Sequence, residues 1–257
     1  MIKQSIKKIL SFFSYEIKKI QKPNIITLNS NKTNQFNNFY EICKNESLNV
    51  SKERFLSLYQ SINYICKNDI KGDLVECGVF MGGSAMMMCY AMNEFGTINN
   101  NKKLWLYDTY SGMANPSIYD ENILNQNATS ELKNIKKQEN KKDIWAYSPL
   151  SYVKKNIEKT NFKNENILFV KGLVEETLID QKPEKISLLR LDTDFYESTK
   201  IELEKLYPLL EVGGILIIDD YGHWKGCKKA VDEYFENKQN IFFQQIDYSG
   251  IIGVKTK

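Results

Sequence analysis

From Gly72 onward, short apolar runs alternate with stretches whose apolar residues recur at helical spacing. The runs 73–77 (DLVEC), 103–108, 167–172, 186–192 and 214–220 are apolar almost throughout and bounded by turn residues, which predicts strands buried on both faces. Helices are expected over about 83–95, 149–160, 196–209 and 226–236. Residues 242–248 and 251–255 flank Ser249-Gly250 and read as a hairpin. Strand–helix alternation of this kind makes a parallel sheet with helices on both faces.

The N-terminal part has a different rhythm. In residues 1–22, Ile2, Ile6, Ile9, Leu10, Phe13, Ile17 and Ile20 recur near helical spacing among six lysines and one glutamate, a basic amphipathic pattern. Such a helix packs on the protein body or on a second subunit; contact with an anionic membrane surface is the less favoured reading. Ser11, Ser14 and Glu16 interrupt the apolar run and argue against a secretory signal. Residues 23–34, with Pro23, read as a linker, and 35–67 as mainly helical. Within the latter, Phe55, Leu58, Tyr59, Ile62 and Ile65 form one apolar face, and Ser51 is the expected N-cap, followed at the third position by Arg54 rather than an acid. Two units result: an N-terminal helical extension or lid over 1–70 and an α/β domain over 71–257.

Composition narrows the function classes. The 257 residues carry 35 basic and 32 acidic side chains, too balanced for a nucleic-acid partner, and 42% are hydrophobic, enough for a sizeable core. No stretch approaches a membrane span. Five scattered cysteines with no CxxC pair are expected to be reduced thiols in a cytoplasmic protein. Residues 109–148 are long, polar and irregular between two expected strands, the profile of a lid, a binding element or a disordered insertion.

In an open parallel sheet, ligands bind beyond the carboxyl ends of the strands. That rule singles out 76–84, 108–112, 172–176, 192–196 and 219–223. In VECGVFMGGSA, Gly78, Gly82 and Gly83 allow close backbone approach to a ligand or tight strand–helix packing, and Ser84 is placed to cap the next helix. The run is neither G-x-G-x-x-G nor a P-loop. Asp108, ending the second expected strand, suits the hydroxyls of a ribose. Turn and acid together fit S-adenosylmethionine (SAM), with its adenine near Gly172–Glu175. Asp192, Asp194, Asp219 and Asp220 end two neighbouring strands, so their carboxylates converge and require a compensating cation or proton. An all-oxygen donor set suits Mg²⁺, Mn²⁺ or Ca²⁺ rather than Zn²⁺. Alternatively, some of these acids cap the helix at 196–209 or pair with Arg190 and Lys225. His223, the single histidine, follows the acids and is a candidate for catalysis or substrate binding. Tyr107, Tyr110, Tyr147, Tyr196 and Tyr221 crowd the strand ends, as stacking platforms or as packing.

The segments GDLVECGVFMGGSA, LWLYDTYSGM, FVKGLVEETL, LLRLDTDFYESTKIELEKLYPLLEVGGILIIDDYGHWKGCKKAVDEYF and IDYSGIIGVK resemble the macrocin O-methyltransferase family from about Ser51 to Lys255. The resemblance implies a class I SAM-methyltransferase (Rossmann-like) fold: a seven-stranded sheet, mostly parallel, with a C-terminal antiparallel hairpin. It implies SAM as methyl donor, S-adenosylhomocysteine (SAH) as product, and Mg²⁺ or Mn²⁺. It places metal ligands at Asp192, Asp219 and Asp220 and a general base at Asp194, with Asp192 and His223 as further catalytic candidates. Cofactor contacts are expected at Glu76, Gly78, Val79, Gly82, Gly83, Ser84, Asp108, Thr109, Ser111, Gly172, Val174, Glu175 and Asp192. The expected acceptor is a sugar, nucleotide-sugar or phosphorylated hydroxyl compound of capsule or secondary-metabolite biosynthesis, and a homodimer or higher oligomer is plausible by analogy. Two other classes stay open: a metal-dependent hydroxylase or hydrolase without SAM, and a non-catalytic binding module.

Overall fold

The computed structural model describes residues 30–96 and 101–257. The basic segment 1–22 and the first part of the expected linker lie outside the described residues. The remainder of that linker is helical: α1 begins at Ser30 and runs to Cys43, because Phe36, Phe39 and Tyr40 give it a face that stacks on Tyr59, Tyr90 and Phe55. Helix α2 (Lys52–Lys67) starts where expected, with the Ser51 side chain accepting from the Arg54 N–H. The alternation then gives β1 (Asp73–Cys77), α3 (Gly83–Phe95), β2 (Leu104–Asp108), α4 (Ala128–Asn134), α5 (Leu150–Glu158), β3 (Ile167–Lys171), α6 (Val174–Thr177), β4 (Ile186–Leu191), α7 (Tyr196–Leu206), β5 (Leu210–Ile218), α8 (Lys225–Phe235), β6 (Ile241–Gln245) and β7 (Ile251–Lys255).

These strands form one seven-stranded sheet in the order β3-β2-β1-β4-β5-β7-β6, parallel except where β7 runs antiparallel to β5 and to β6. The chain runs outward from β1 to β2 and β3, then returns to lay β4 on the other side of β1, so the crevice lies at the β1–β4 carboxyl ends. One apolar layer joins α1, α2, α3 and α5 to the sheet through Phe36, Phe55, Tyr59, Met86 and Val153. The opposite layer holds Tyr107, Phe195, Leu203, Tyr207 and Cys227. No disulfide joins the five cysteines, and no helix among the described residues is long and apolar enough to cross a membrane.

Three local expectations change. Strand β5 begins at Leu210, earlier than 214, with Gly213 at positive φ marking an irregular start. The hairpin turn is not the two residues Ser249-Gly250: β6 ends at Gln245, and Gln245 pairs with Ile251 across a five-residue loop. Asp247 closes that loop by accepting from the N–H groups of Ser249 and Gly250. Ser84 is not the cap of α3; Gly82, at φ 94°, holds that position without a side-chain bond. The 109–148 segment is built rather than disordered. Asn127 caps α4 through the N–H groups of Thr129 and Ser130, and Asn122 bridges to Trp224.

Candidate active site

A cavity of about 310 Å³ opens at the switch point. Gly78, at φ 83°, lets the β1 and β4 ends touch: a Cβ there would lie 1.9 Å from the Asp192 carbonyl oxygen. The close approach of Gly83 is likewise to protein, since a Cβ there would meet Ser47 Oγ and the Cys43 carbonyl. The packing role of these glycines is thus realised in the structure, while Gly78 and Gly83 also line the cavity.

One half of the cavity is walled by Val79, Phe80, Ser84, Asp108, Thr109, Gly172, Val174 and Glu175. The Asp108 carboxylate accepts from the backbone N–H groups of Val79 (2.7 Å), Phe80 (3.0 Å) and Tyr110 (2.7 Å). Burial pushes it above the ordinary carboxylate range, against the pull of those donors. Glu175 Oε2 is buried with no partner. Glu76, Gly82 and Ser111 are not among the lining residues. Glu76 sits opposite Arg190 in the β1–β4 register and turns into the sheet toward it, at 2.8 Å.

In the other half, a carboxylate oxygen from each of Asp192, Asp219 and Asp220 lies within 4.8 Å of the others. Arg190 pairs with Asp192 (2.7 Å), Asp219 (2.6 Å) and Glu76. That part of the alternative reading is therefore present in the structure. The acids do not cap α7, whose first N–H donates to Asp120 (2.8 Å), and Lys225 pairs with Glu121. Asp220 contributes to this all-oxygen donor set, and its Oδ2 is buried without a hydrogen-bond partner, so the residues present fit a hard divalent cation. Burial and the neighbouring carboxylates push Asp192 and Asp220 well up.

Asp194 adopts φ 65°, a left-handed backbone that non-glycine residues rarely take and that clusters at functional sites. It lines the cavity, and burial, then the Asp192 charge, push its carboxyl up to about 7. His223 also lines the cavity with Nδ1 unpartnered; burial and the nearby Arg54 charge lower its pKa, favouring the neutral ring. Behind the loop, Thr193 donates to the fully buried Glu202 (3.1 Å), whose burial holds its carboxyl well above the usual range.

Residues that the sequence left unassigned complete the walls: Asn49 from the turn ahead of α2, Arg54 from α2, Lys142 from the insertion, and Tyr248 and Ser249 from the hairpin loop. Arg54 was visible only as an oddity, a cation where a capping box would carry Glu or Gln. Of the five tyrosines, Tyr107 lines the cavity. The hydroxyls of Tyr107, Tyr110, Tyr147, Tyr196 and Tyr221 are spent on Gln181, Leu106, Glu139, Glu233 and Asp232, mainly a packing role.

Comparison with known proteins identifies the family of this chain. The macrocin-O-methyltransferase (TylF) family matches residues 19–253. The demethyldecarbamoylnovobiocin O-methyltransferase of Streptomyces niveus is 28% identical over 185 residues, 72% of this chain and 66% of that protein. An 8-demethyl-8-(2,3-dimethoxy-alpha-L-rhamnosyl)-tetracenomycin-C 4'-O-methyltransferase of Streptomyces olivaceus is 30% identical over the same shares. The matched part of the chain thus spans about two-thirds of the length of these relatives. The structure of the O-methyltransferase NovP superposes with a TM-score of 0.68 at 26% identity, covering 81% of each chain. The seven-stranded sheet is that of the class I O-methyltransferases, and the chain belongs to the macrocin O-methyltransferase family.

Proposed function

We propose that this protein is a SAM-dependent, cation-assisted O-methyltransferase acting on a hydroxyl of a sugar or nucleotide-sugar. The observation that carries the reading is the distribution of unpartnered buried polar atoms along one cavity. Glu175 Oε2 lies just after β3, and Asp220 Oδ2 and His223 Nδ1 just after β5, all on residues that line the cavity. Such atoms need an explanation, and on a cavity wall a bound molecule or ion that partners them supplies one.

Asp108 would accept from the ribose hydroxyls and Glu175 from the adenine amino group, fixing the donor against the β1 turn. Asp192, Asp219 and Asp220 would hold the cation. Once bound, SAM supplies an electrophilic methyl group and the divalent cation makes the acceptor hydroxyl more acidic. Asp194 takes the hydroxyl proton at its carboxylate, and His223 orients the acceptor through Nδ1. The insertion, through Met113, Ile144 and Ala146, covers the cavity and limits water near the reacting atoms. Much of the acceleration then comes from holding the acceptor oxygen in line with the methyl group.

The acceptor class follows the sugar named for the tetracenomycin relative. A sugar of a surface polysaccharide such as capsule, carried on a nucleotide, and a secondary-metabolite glycoside are the two settings we favour. Calorimetric titration of SAH into the protein, with Mg²⁺ and then with a chelator, tests the donor half. Binding that survives the chelator is expected. Absence of binding in both conditions would overturn the methyltransferase reading. Methyl transfer from labelled SAM to a panel of nucleotide-sugars and glycosides then tests the acceptor half.

A further inference from the structure

Resting on that reading for the cation, we propose that Arg54 is the resident counter-ion of Asp219, and that a divalent cation enters the acid cluster in competition with it. Cation loading is thereby coupled to the N-terminal helices. The two oxygens of Asp219 are engaged by different arginines: Oδ1 by Arg190 and Oδ2 by Arg54. Arg190 belongs to the sheet itself and is buried on β4. Arg54 arrives from α2, outside the sheet, with its side chain only 6% exposed. Its guanidinium also pairs with Asp247 of the hairpin loop (2.8 Å) and donates to the Asn49 carbonyl.

A cation held by Asp192, Asp219 and Asp220 would share the Asp219 carboxylate with Arg54, and like charges competing for one carboxylate repel. Arg54 is equipped to give way without being left unpaired. Asp247 is fixed independently by two backbone N–H groups and retains the Nε contact when Nη1 lets go. Arg190 is held more firmly, since it grips two members of the cluster, Asp192 and Asp219, at once and is anchored to Glu76 within the sheet. The movement has a consequence for the acceptor, because Ser47, Leu48, Asn49 and Val50, just ahead of α2, line the same cavity. Arg54 is in this sense a positioning residue, acting through Asp219 and through the 46–54 segment.

The experiment is Mg²⁺ and Mn²⁺ titration of the full chain by calorimetry, for the native protein, R54M and R54K, alongside amide hydrogen exchange over residues 46–54 with and without Mn²⁺. Removal of the competing charge should tighten cation binding about tenfold or more in R54M. R54K, whose single ammonium cannot hold Asp219 and Asp247 together in fork geometry, should fall between, and serves alone if R54M does not fold. In the native protein, Mn²⁺ should speed exchange in 46–54. Equal or weaker cation binding in the variants, or exchange indifferent to Mn²⁺, overturns the proposal while leaving the cation site standing. No saturable binding to any of the proteins overturns the cation site and the proposal with it.

Discussion

Asp194 concentrates several signals in one residue: left-handed backbone, burial, and a carboxyl pushed up to about 7. As the proposed base it would work ionised, so turnover should be low on the acid side and rise as pH passes through the neutral range. Asp194→Asn should lower kcat by roughly 10²–10⁴-fold, the usual worth of a positioned base, and leave SAH affinity nearly unchanged; the pH–rate profile and calorimetry check both. Glu202 makes the opposite kind of prediction, about stability. Its folded-state pKa is raised above the unfolded value. The stability it lends is therefore full below the ordinary carboxylate range and is lost as pH climbs toward the folded value. Glu202→Gln keeps an acceptor for Thr193 and removes the titration. Its melting temperature should gain on the native protein progressively from acid to alkaline pH in thermal scans. At this scale the acid clusters were legible, because residue type and strand-end position suffice to find them. Arg54 and Tyr248 were not, because they reach the cavity from segments far away along the chain.

Among the elements, β1, α3 and β7 lie where the pattern placed them, since continuous apolar runs closed by glycine or polar turns leave little freedom. Helix α4 escaped notice, being only seven residues long and capped by one asparagine inside a polar stretch. The hairpin loop was misread for a related reason. Ser249-Gly250 looks like a two-residue turn, but the Asp247 carboxylate gathers the N–H groups of Ser249 and Gly250 into a longer one. The contact between the ends of β1 and β4 is the element-level feature most open to a test. Gly78→Ala would add about 1–3 kcal/mol from the left-handed backbone alone. It would also force a Cβ against the Asp192 carbonyl. The variant should melt several degrees lower and lose SAH binding, read by thermal denaturation and calorimetry.

Over the whole molecule, Arg190 ties β1, β4 and β5 together through Glu76, Asp192 and Asp219, the first and last almost wholly buried. Replacing one partner in such a network strands the others, at a cost of about 3–5 kcal/mol. Arg190→Met should be destabilised to that extent in denaturant titration, and added Mg²⁺ should restore part of the loss by neutralising the orphaned acids. The parallel strands and the closing hairpin were foreseeable from the alternation of elements, whereas the strand order and the contribution of the N-terminal segment to the cavity were not, because no periodicity records which distant surface an element will meet.

The residues that line the cavity come from two different parts of the fold. In the proposed reading, the donor wall comes from the turns after β1, β2 and β3. In the same reading, the acceptor side joins the acids at the ends of β4 and β5 to the 46–54 segment, the insertion and Tyr248 and Ser249 of the hairpin loop, three parts that lie outside the parallel core. New acceptors can therefore be acquired by exchanging peripheral loops, as a tool changes its bit while the handle stays the same, and a graft of those three segments between relatives should carry substrate preference with it.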